Sequence, residues 1–399
     1  MYDFVIIGAG ASGMVAAISL AQSGKRVCLI EYQSRGGKKI LASGNGHCNI
    51  ANVNVSSKHY KANNTELLRN LLNSCSPQKI VEFFDDLGLE IVTKADGKMY
   101  PKSNQASSVL ALLEARVKKL KIDTFYNAKD LKIKKGFSIT FNSNSIKSKN
   151  LIIATGSEAA PQLGSTNFGL EVAKSFGHSI IKPLPALVPL TSKDSICKVL
   201  NGLKLDVNAR LFINNQEKTS INGDILFRDY GVSGLAILDI SLEAIRHIDN
   251  KQDVKISIDF FKELNKKELL DYLKSKINKQ RALSVNLWLG GFLHTKLANF
   301  LAKELNLEHL SEDRLNTKLL KELTNKLKNY TISIDGIREF KYAEVALGGV
   351  NSQEINPKTF ESKKQKGLFF IGEVLDVVGN RGGYNFYFAW CSGMKVGLF

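Results

Sequence analysis

The chain has 399 residues, 44% of them apolar and 23% charged, which excludes a disordered chain, a collagen-like chain and a small disulfide scaffold. Its length allows two or three domains with a large buried core. Fifty-five basic against 38 acidic side chains leave a net charge of +17, which raises nucleic acid or an anionic membrane as a partner.

Met1-Tyr2-Asp3 turns apolar at once, with no basic segment or small-x-small cleavage pattern, so no secretory signal is expected. Phe4-Val5-Ile6-Ile7 is a continuous apolar run, read as a parallel strand buried on both faces. Gly8-Ala9-Gly10-Ala11-Ser12-Gly13 follows, then a helix from Met14 that ends at Gly24. Arg26 to Ile30 is a second buried strand, with Glu31 at its C-terminal end. The three glycines make the stretch from Phe4 to Ala21 a strand, turn and helix start rather than a membrane span. Together these elements form a βαβ unit with the dinucleotide fingerprint. Gly8 permits the tight turn, Gly10 lets backbone approach a pyrophosphate, and Gly13 lets helix pack on strand. The helix start offers unpaired N–H groups to phosphate oxygens. Glu31 suits ribose hydroxyls and would repel a 2′-phosphate. The fingerprint alone leaves FAD and NAD open.

Gly36 to Asn49 is rich in glycine and small polar residues, a composition for backbone lying against a ligand. Tyr60 to Gly88 and Ser103 to Leu120 have helical spacing, the first broken near Pro77. Lys129 to Lys149 alternates, with turns at Lys135-Gly136 and Asn142-Ser143-Asn144, a hairpin signal. Leu151 to Ala154 reads as a strand that runs into Thr155-Gly156. Pro183, Pro185 and Pro189 bracket a connection, and Leu187 to about Ile248 alternates like a small antiparallel barrel or sheet. From about Phe260 to Tyr330 the pattern is helical and Lys-rich. There Lys262, Lys266, Lys267, Lys274, Lys276, Lys279 and Arg281 interleave with Glu263, Glu268 and Asp271. The interleaving favours charged helix faces kept in solvent, with nucleic-acid binding as the alternative. Gly367 to Ile371 is a further buried strand, followed by Gly372-Glu373, Asp376, Gly382-Gly383-Tyr384-Asn385 and a helix from about Phe386 to Val396. The five cysteines are odd in number, widely spaced and without CxxC, so neither a disulfide framework nor a zinc site is expected, and the compartment reads as reducing and cytoplasmic. No histidine or carboxylate pair has metal-ligand spacing, and His178 and His294 read as structural.

Strand-GxGxxG-helix-strand-Glu, a central Ala-Thr-Gly and a late strand-Gly-Glu resemble flavoproteins of the glutathione-reductase-like superfamily. Ser43-Gly44-Asn45-Gly46-His47-Cys48-Asn49, Leu226 to Gly234, Gly348-Gly349-Val350 and Gly372 to Asn385 narrow the likeness. They are similar to segments of the BaiN-like, aminoacetone-oxidase-type family of NAD(P)/FAD-dependent oxidoreductases. The sequence departs from that pattern at His47 (Arg in the family), Ala51 (Thr), Arg228-Asp229 (Thr-His) and Leu235 (Pro).

The resemblance implies an α/β fold. A discontinuous Rossmann-like FAD-binding domain (1–188 and 345–399) carries an antiparallel β-barrel subdomain (189–252 and 331–344), which itself carries a helical insertion (253–330). It also implies that FAD is held at both ends of the chain. Gly8, Gly10, Ala11, Ser12 and Gly13 would hold the pyrophosphate and Glu31 the adenosine ribose. Lys38, Lys39, Ser43, Gly44, Cys48 and Asn49 would run beside the phosphates and flavin, with Ala154, Thr155 and Gly156 nearby. Gly372 and Glu373, with Asp376 as second choice, would hold the ribityl or pyrophosphate region. Gly383, Tyr384 and Asn385 would face flavin N1 and O2 from a helix N-terminus. The expected reaction is two-electron transfer through flavin N5 on a small organic substrate. Cys48 has no nearby cysteine, which argues against a redox-active disulfide. No second GxGxxG occurs, so NADH or NADPH is expected to bind transiently as reductant. His47, Arg228 and Tyr384 are the catalytic candidates by location. The alternatives are a flavoprotein acting on RNA and a non-catalytic FAD-binding protein.

Overall fold

The computed structural model describes residues 1–278 and 280–397, so Lys279 of the Lys-rich stretch lies outside the described residues. The chain divides into two compact units, Met1–Pro185 with Ala343–Phe399, and Ala186–Tyr342.

The first unit is built on a parallel sheet. Its strands are β1 (Tyr2–Ile7), β2 (Val27–Ile30), β3 (Asp123–Phe125), β4 (Asn144–Ile153) and β5 (Leu368–Phe370), in the order β3-β2-β1-β4-β5. Phe4 to Ile7 and all of β2 are buried, as strands covered on both faces must be. Helix α1 (Ala11–Gln22) and the last helix, α2 (Tyr384–Val396), pack against each other in this unit. The first half of β4 turns outward into the meander expected at 129–149. It pairs antiparallel with Ser138–Phe141, which pairs with Lys132–Lys134. Ile133, Ile139 and Ile146 share one row on the inner face, while Lys134, Ser138 and Lys147 share the row beside it on the other face.

Three local expectations change. The helical stretch from 60 begins instead with a strand, Tyr60–Ala62, paired to Val377–Gly379. Two helices follow, Thr65–Ser74 and Pro77–Asp86. The Asn64 side chain accepts from Leu67 N, and the Ser76 side chain accepts from Lys79 N just before Pro77. Helix α2 starts at Tyr384, two residues early, because Gly383 takes φ +96 and ends the preceding loop.

The third change is chemical. Cys75 and Cys391 form a disulfide across 316 residues of sequence, whereas spacing argued against any disulfide. Spacing cannot reveal that the end of Thr65–Ser74 lies against α2, where the Tyr387 hydroxyl also donates to the Cys75 carbonyl. Cys28, Cys48 and Cys197 are free and buried.

In the second unit, Tyr330–Ile334, Val254–Asp259, Lys204–Ile213, Gln216–Arg228, Gly231–Ser233, Leu190–Thr191 and Gly336–Ile337 form one antiparallel sheet in that order. The two end strands are consecutive in the chain. However, the backbone turns away at Asp335, whose N–H bonds the Thr191 carbonyl. No ladder joins the ends among the described residues, so the sheet is open where a barrel was expected. Val254–Asp259 belongs to the sheet, so the helical segment begins after 259 rather than at 253. Its helices are Lys266–Lys276, Val285–Gly290, Thr295–Glu304 and Thr317–Lys328, the first opened by a capping box of Asn265 and Glu268.

His178 is buried between Glu354 (3.1 Å) and Ser362 (2.7 Å), and burial lowers its pKa. The His294 side chain caps Thr295–Glu304 by accepting from Lys296 N. Both histidines therefore do structural work. Among the described residues, no helix is long and apolar enough to cross a membrane.

The disulfide makes a direct prediction. Thiol titration of the protein in denaturant without reductant yields three reactive groups; five would exclude the bond. Cys391→Ala lowers the stability of the oxidised protein by about 2–5 kcal/mol, and added reductant brings the wild type to the same value.

Candidate functional site

The site starts from the turn between β1 and α1. Gly8 has φ +105, and a Cβ there would lie 2.5 Å from the Ala154 carbonyl oxygen on β4's continuation. A Cβ on Gly13 would run into the Gly8 carbonyl itself. Gly10 differs: nothing lies within 4 Å of where its Cβ would be. Thus Gly8 and Gly13 are needed for packing, and Gly10 keeps a space open. No side chain caps α1 and no acid stands in its first turn, so Ala11, Ser12 and Gly13 present uncapped N–H groups there. Glu31 closes this cradle from β2. Its Oε2 accepts from Ala9 N and its Oε1 from Gln33 N, each at 2.8 Å. The carboxylate is thereby oriented while lone pairs remain for ribose hydroxyls.

A second cluster centres on Glu373. Its Oε2 pairs with Lys39 Nζ at 2.9 Å, and its Oε1 accepts from Ser157 Oγ at 2.7 Å and Ala346 N at 3.2 Å. Two expected positions therefore meet, and Ser157 joins them although no local spacing pointed to it. Ser157 follows Ala154, Thr155 and Gly156 directly, and Ala154 N bonds the Ile7 carbonyl next to Gly8. Gly372 N donates to the Ser392 hydroxyl oxygen at 3.0 Å, which ties this turn to α2. Lys38 turns to Gln33 at 2.7 Å. Asp376 is only 4% exposed, and burial raises its pKa. Its Oδ1 accepts from Ser352 N, a contact that supports the loop rather than joining Glu373.

The segment from Ser43 to Asn49 lies between these clusters and α2. Ser43 Oγ donates to the Ile40 carbonyl at 2.6 Å, and Gly44 follows in left-handed backbone. Cys48 is fully buried, and burial pushes its thiol up to about 11, so it stays protonated. Asn49 Oδ1 is buried and has no hydrogen-bond partner among the described residues. It lies 2.8 Å from where a Cβ on Gly383 would be. Gly383 caps α2 with no side-chain bond and no acid in the first turn, a second open helix N-terminus. Asn385, by contrast, spends its side chain on Gly379 N and O, at 2.8 and 2.9 Å. The Tyr384 carbonyl accepts from the Tyr60 hydroxyl, and its ring stacks on His59 with centroids 4.4 Å apart.

Next to this lies a hollow of about 480 Å³ lined by His47, Lys94, Ala95, Asp96, Tyr100 and Asn104. His47 Nδ1 is 2.8 Å from the Asn104 carbonyl. Burial and the charge of Asp96 raise the Tyr384 pKa, so its hydroxyl keeps its proton at neutral pH. Asp96 itself is held low by its hydrogen bond to Lys98. His47 and Tyr384 belong to the first unit; Arg228 is exposed in the second, at the end of Gln216–Arg228. The hollow's Lys94, Asp96 and Tyr100 come from a short hairpin that carried no chemical signal in sequence.

Two uncapped helix N-termini, the open space at Gly10 and the orphaned Asn49 oxygen fit a dinucleotide that carries a ring able to accept a hydrogen bond from backbone and donate one to Asn49. FAD meets both requirements. Gly10→Leu is expected to leave apo stability within about 0.5 kcal/mol and to abolish FAD retention, read from flavin absorbance after gel filtration. Gly13→Ala is expected to cost about 3 kcal/mol through the carbonyl clash. Equal thermal midpoints for the two variants would contradict this division of labour.

Residues 2–399 match the HI0933-like protein Rossmann domain family. The chain is 33% identical to a 3-dehydro-bile acid delta(4,6)-reductase of Clostridium scindens, over 98% of this chain and 97% of that protein. It is 30% identical to a ribosomal RNA dihydrouridine synthase of Escherichia coli, over 98% of this chain and 96% of that protein. Among solved structures, a 3-ketosteroid delta1-dehydrogenase of Sterolibacterium denitrificans is similar in fold. Its TM-score is 0.52 at 12% identity, over 100% of this chain and 98% of that one. With the glycine cradle, Glu31 and Glu373 in place, the chain belongs to the HI0933-like family of FAD-dependent oxidoreductases.

Proposed function

We propose that this protein reduces a carbon–carbon double bond conjugated to a carbonyl, with a nicotinamide coenzyme as the source of electrons. The names of its full-length relatives support the reaction type. Double bonds of a 3-oxo steroid acid and the C5–C6 bond of uracil are different substrates, but each double bond is activated by a carbonyl. Bound FAD supplies a hydride from N5 to such a bond.

The residues of this chain supply the rest. The N–H groups at Gly383 and Tyr384, at the positive end of α2, stabilise negative charge placed near them. The hollow beside His47, about 480 Å³, falls within the size range of small-molecule sites. The second hydrogen arrives as a proton at the carbon next to the carbonyl. Tyr384 carries that proton, because burial and Asp96 hold its hydroxyl protonated. The position of Tyr384 beside the hollow carries the reading: its ring and Lys98, the partner of the hollow's Asp96, both come within 4 Å of where a Cβ on Gly382 would be.

A second reading concerns the substrate: a uracil base within RNA. The +17 charge favours it, and the surplus is concentrated in the unit that carries the FAD cradle. That unit has 30 basic against 18 acidic residues, and the second unit has 25 against 20. Much of the surplus therefore lies outside the Lys-rich helices.

To test the reaction, FAD-loaded protein is reduced without oxygen by NADH or NADPH and mixed with cyclic enones or uridine-containing oligoribonucleotides. Flavin absorbance returns, and mass spectrometry finds the substrate heavier by two hydrogens. Tyr384→Phe slows this step by about a hundredfold and leaves FAD content and reduction by the nicotinamide unchanged. A substrate panel that never reoxidises the flavin, or a phenylalanine variant as fast as wild type, would refute the proposal.

A further inference from the structure

In the second unit, one arginine is held in place without a partner for its donors. The Arg338 guanidinium carbon lies 4.2 Å from the Tyr230 ring centroid and 4.1 Å from that of Tyr342. The framework is a sheet. Tyr230 directly precedes Gly231–Ser233, Arg338 directly follows Gly336–Ile337, and Leu190–Thr191 pairs with both strands. Arg338 N also bonds the Pro189 carbonyl at 3.0 Å. Among the described residues, the Arg338 side chain makes no ion pair and no hydrogen bond. Arg35 and Arg281, in contrast, each pair with a glutamate, and Arg116 with an aspartate. Contact with two rings holds the guanidinium in place and uses none of its five N–H donors.

We propose that Arg338, Tyr230 and Tyr342 form a binding site for single-stranded RNA. The guanidinium edge takes a backbone phosphodiester, and the Tyr342 ring takes a base. This rests on the RNA reading of the substrate. A planar fork of donors with no carboxylate opposite it matches two phosphate oxygens. Tyr342 is 43% exposed, with Arg338 at 4.1 Å and Lys341 Nζ at 5.9 Å from its ring centroid, and its exposed ring area is available for stacking. Arg228 stands close enough to Tyr230 to act on its hydroxyl, which adds a second cation against the flanking Asp229 and Glu339. Arg338 and Tyr230 are half-buried and Tyr342 is exposed at the edge of the cluster, which suits an extended strand; a small acid needs an enclosing pocket.

The test is fluorescence anisotropy of the FAD-loaded full chain with a labelled single-stranded oligoribonucleotide over a range of salt. Wild type is expected to bind at low salt. Arg338→Gln weakens binding about tenfold and lowers the log–log salt slope by about one. Tyr342→Ala weakens it about tenfold with the slope unchanged, and Tyr342→Phe binds as wild type. FAD content and thermal midpoint confirm that each variant is folded. If wild type binds and Arg338→Gln and Tyr342→Ala both match it in affinity and slope, the site is wrong while the RNA reading survives. No binding by wild type at low salt removes the RNA reading and the site together. An Arg338→Gln effect confined to the KM of a carboxylated enone reassigns the arginine to a small acid and overturns the proposal.

Discussion

The turn from β1 into α1 is packed to the limit that backbone allows. A Cβ on Gly13 would overlap the Gly8 carbonyl, and one on Gly8 would press on the carbonyl of Ala154. Because the helix start lies this close to two strands, its free N–H groups face the space kept open at Gly10. Glu31 is fixed by the same turn, through the Ala9 N–H. Strand β4 delivers Ala154 to the turn and then Ser157 to Glu373. One steric constraint thus sets the distance between the cradle, the β4 loop and the late Gly-Glu turn.

Much of this was legible in the sequence, since it is written in local spacing. The Gly8–Gly13 fingerprint, the buried strands and Glu31 at a strand end are short-range patterns. The meander at 129–149 was legible for the same reason: Ile133, Ile139 and Ile146 alternate with polar residues and turns separate them. What stayed hidden depends on distant partners. Tyr60–Ala62 becomes a strand only because Val377–Gly379 lies beside it. Cys75 and Cys391 meet only when α2 packs next to Thr65–Ser74. Asp96 acquires meaning only through the proximity of His47 and Tyr384. In the second unit the alternating pattern announced a sheet, but it held no information on whether the two ends would pair.

Charge is distributed unequally between the two clusters that frame the FAD site. Around Glu373, Lys39 neutralises the carboxylate and Ser157 donates a hydrogen bond to it within one network. Around Gly383, the start of α2 adds positive potential from its backbone, with no acid in its first turn. A backbone source of potential does not titrate and has no rotamers to lose. Beside it stand Tyr384, the proton donor we propose, and the Asp96 carboxylate paired with Lys98. For the proposed hydride-and-proton addition, this separation places a fixed field on one side and proton transfer on the other.

The order in which the chain is made bears on the disulfide and on the cofactor. The second unit is contiguous, so all its strands have emerged once Tyr342 has been synthesised. The first unit must wait. Its β5 strand, Glu373 turn and α2 come some 360 residues after α1, roughly 20–70 s at translation speeds of about 5–20 residues per second. For the last 215 or so of those residues, from the end of β4 at Ile153 to Leu368, β4 stands with an unpaired edge where β5 will dock, an exposed apolar ladder of the kind that aggregates. On the FAD placement proposed above, the cofactor has nothing to bridge until α2 arrives, and Cys75 has no partner. Ligand insertion and oxidation of this thiol pair therefore report the same event, the completion of the nascent domain.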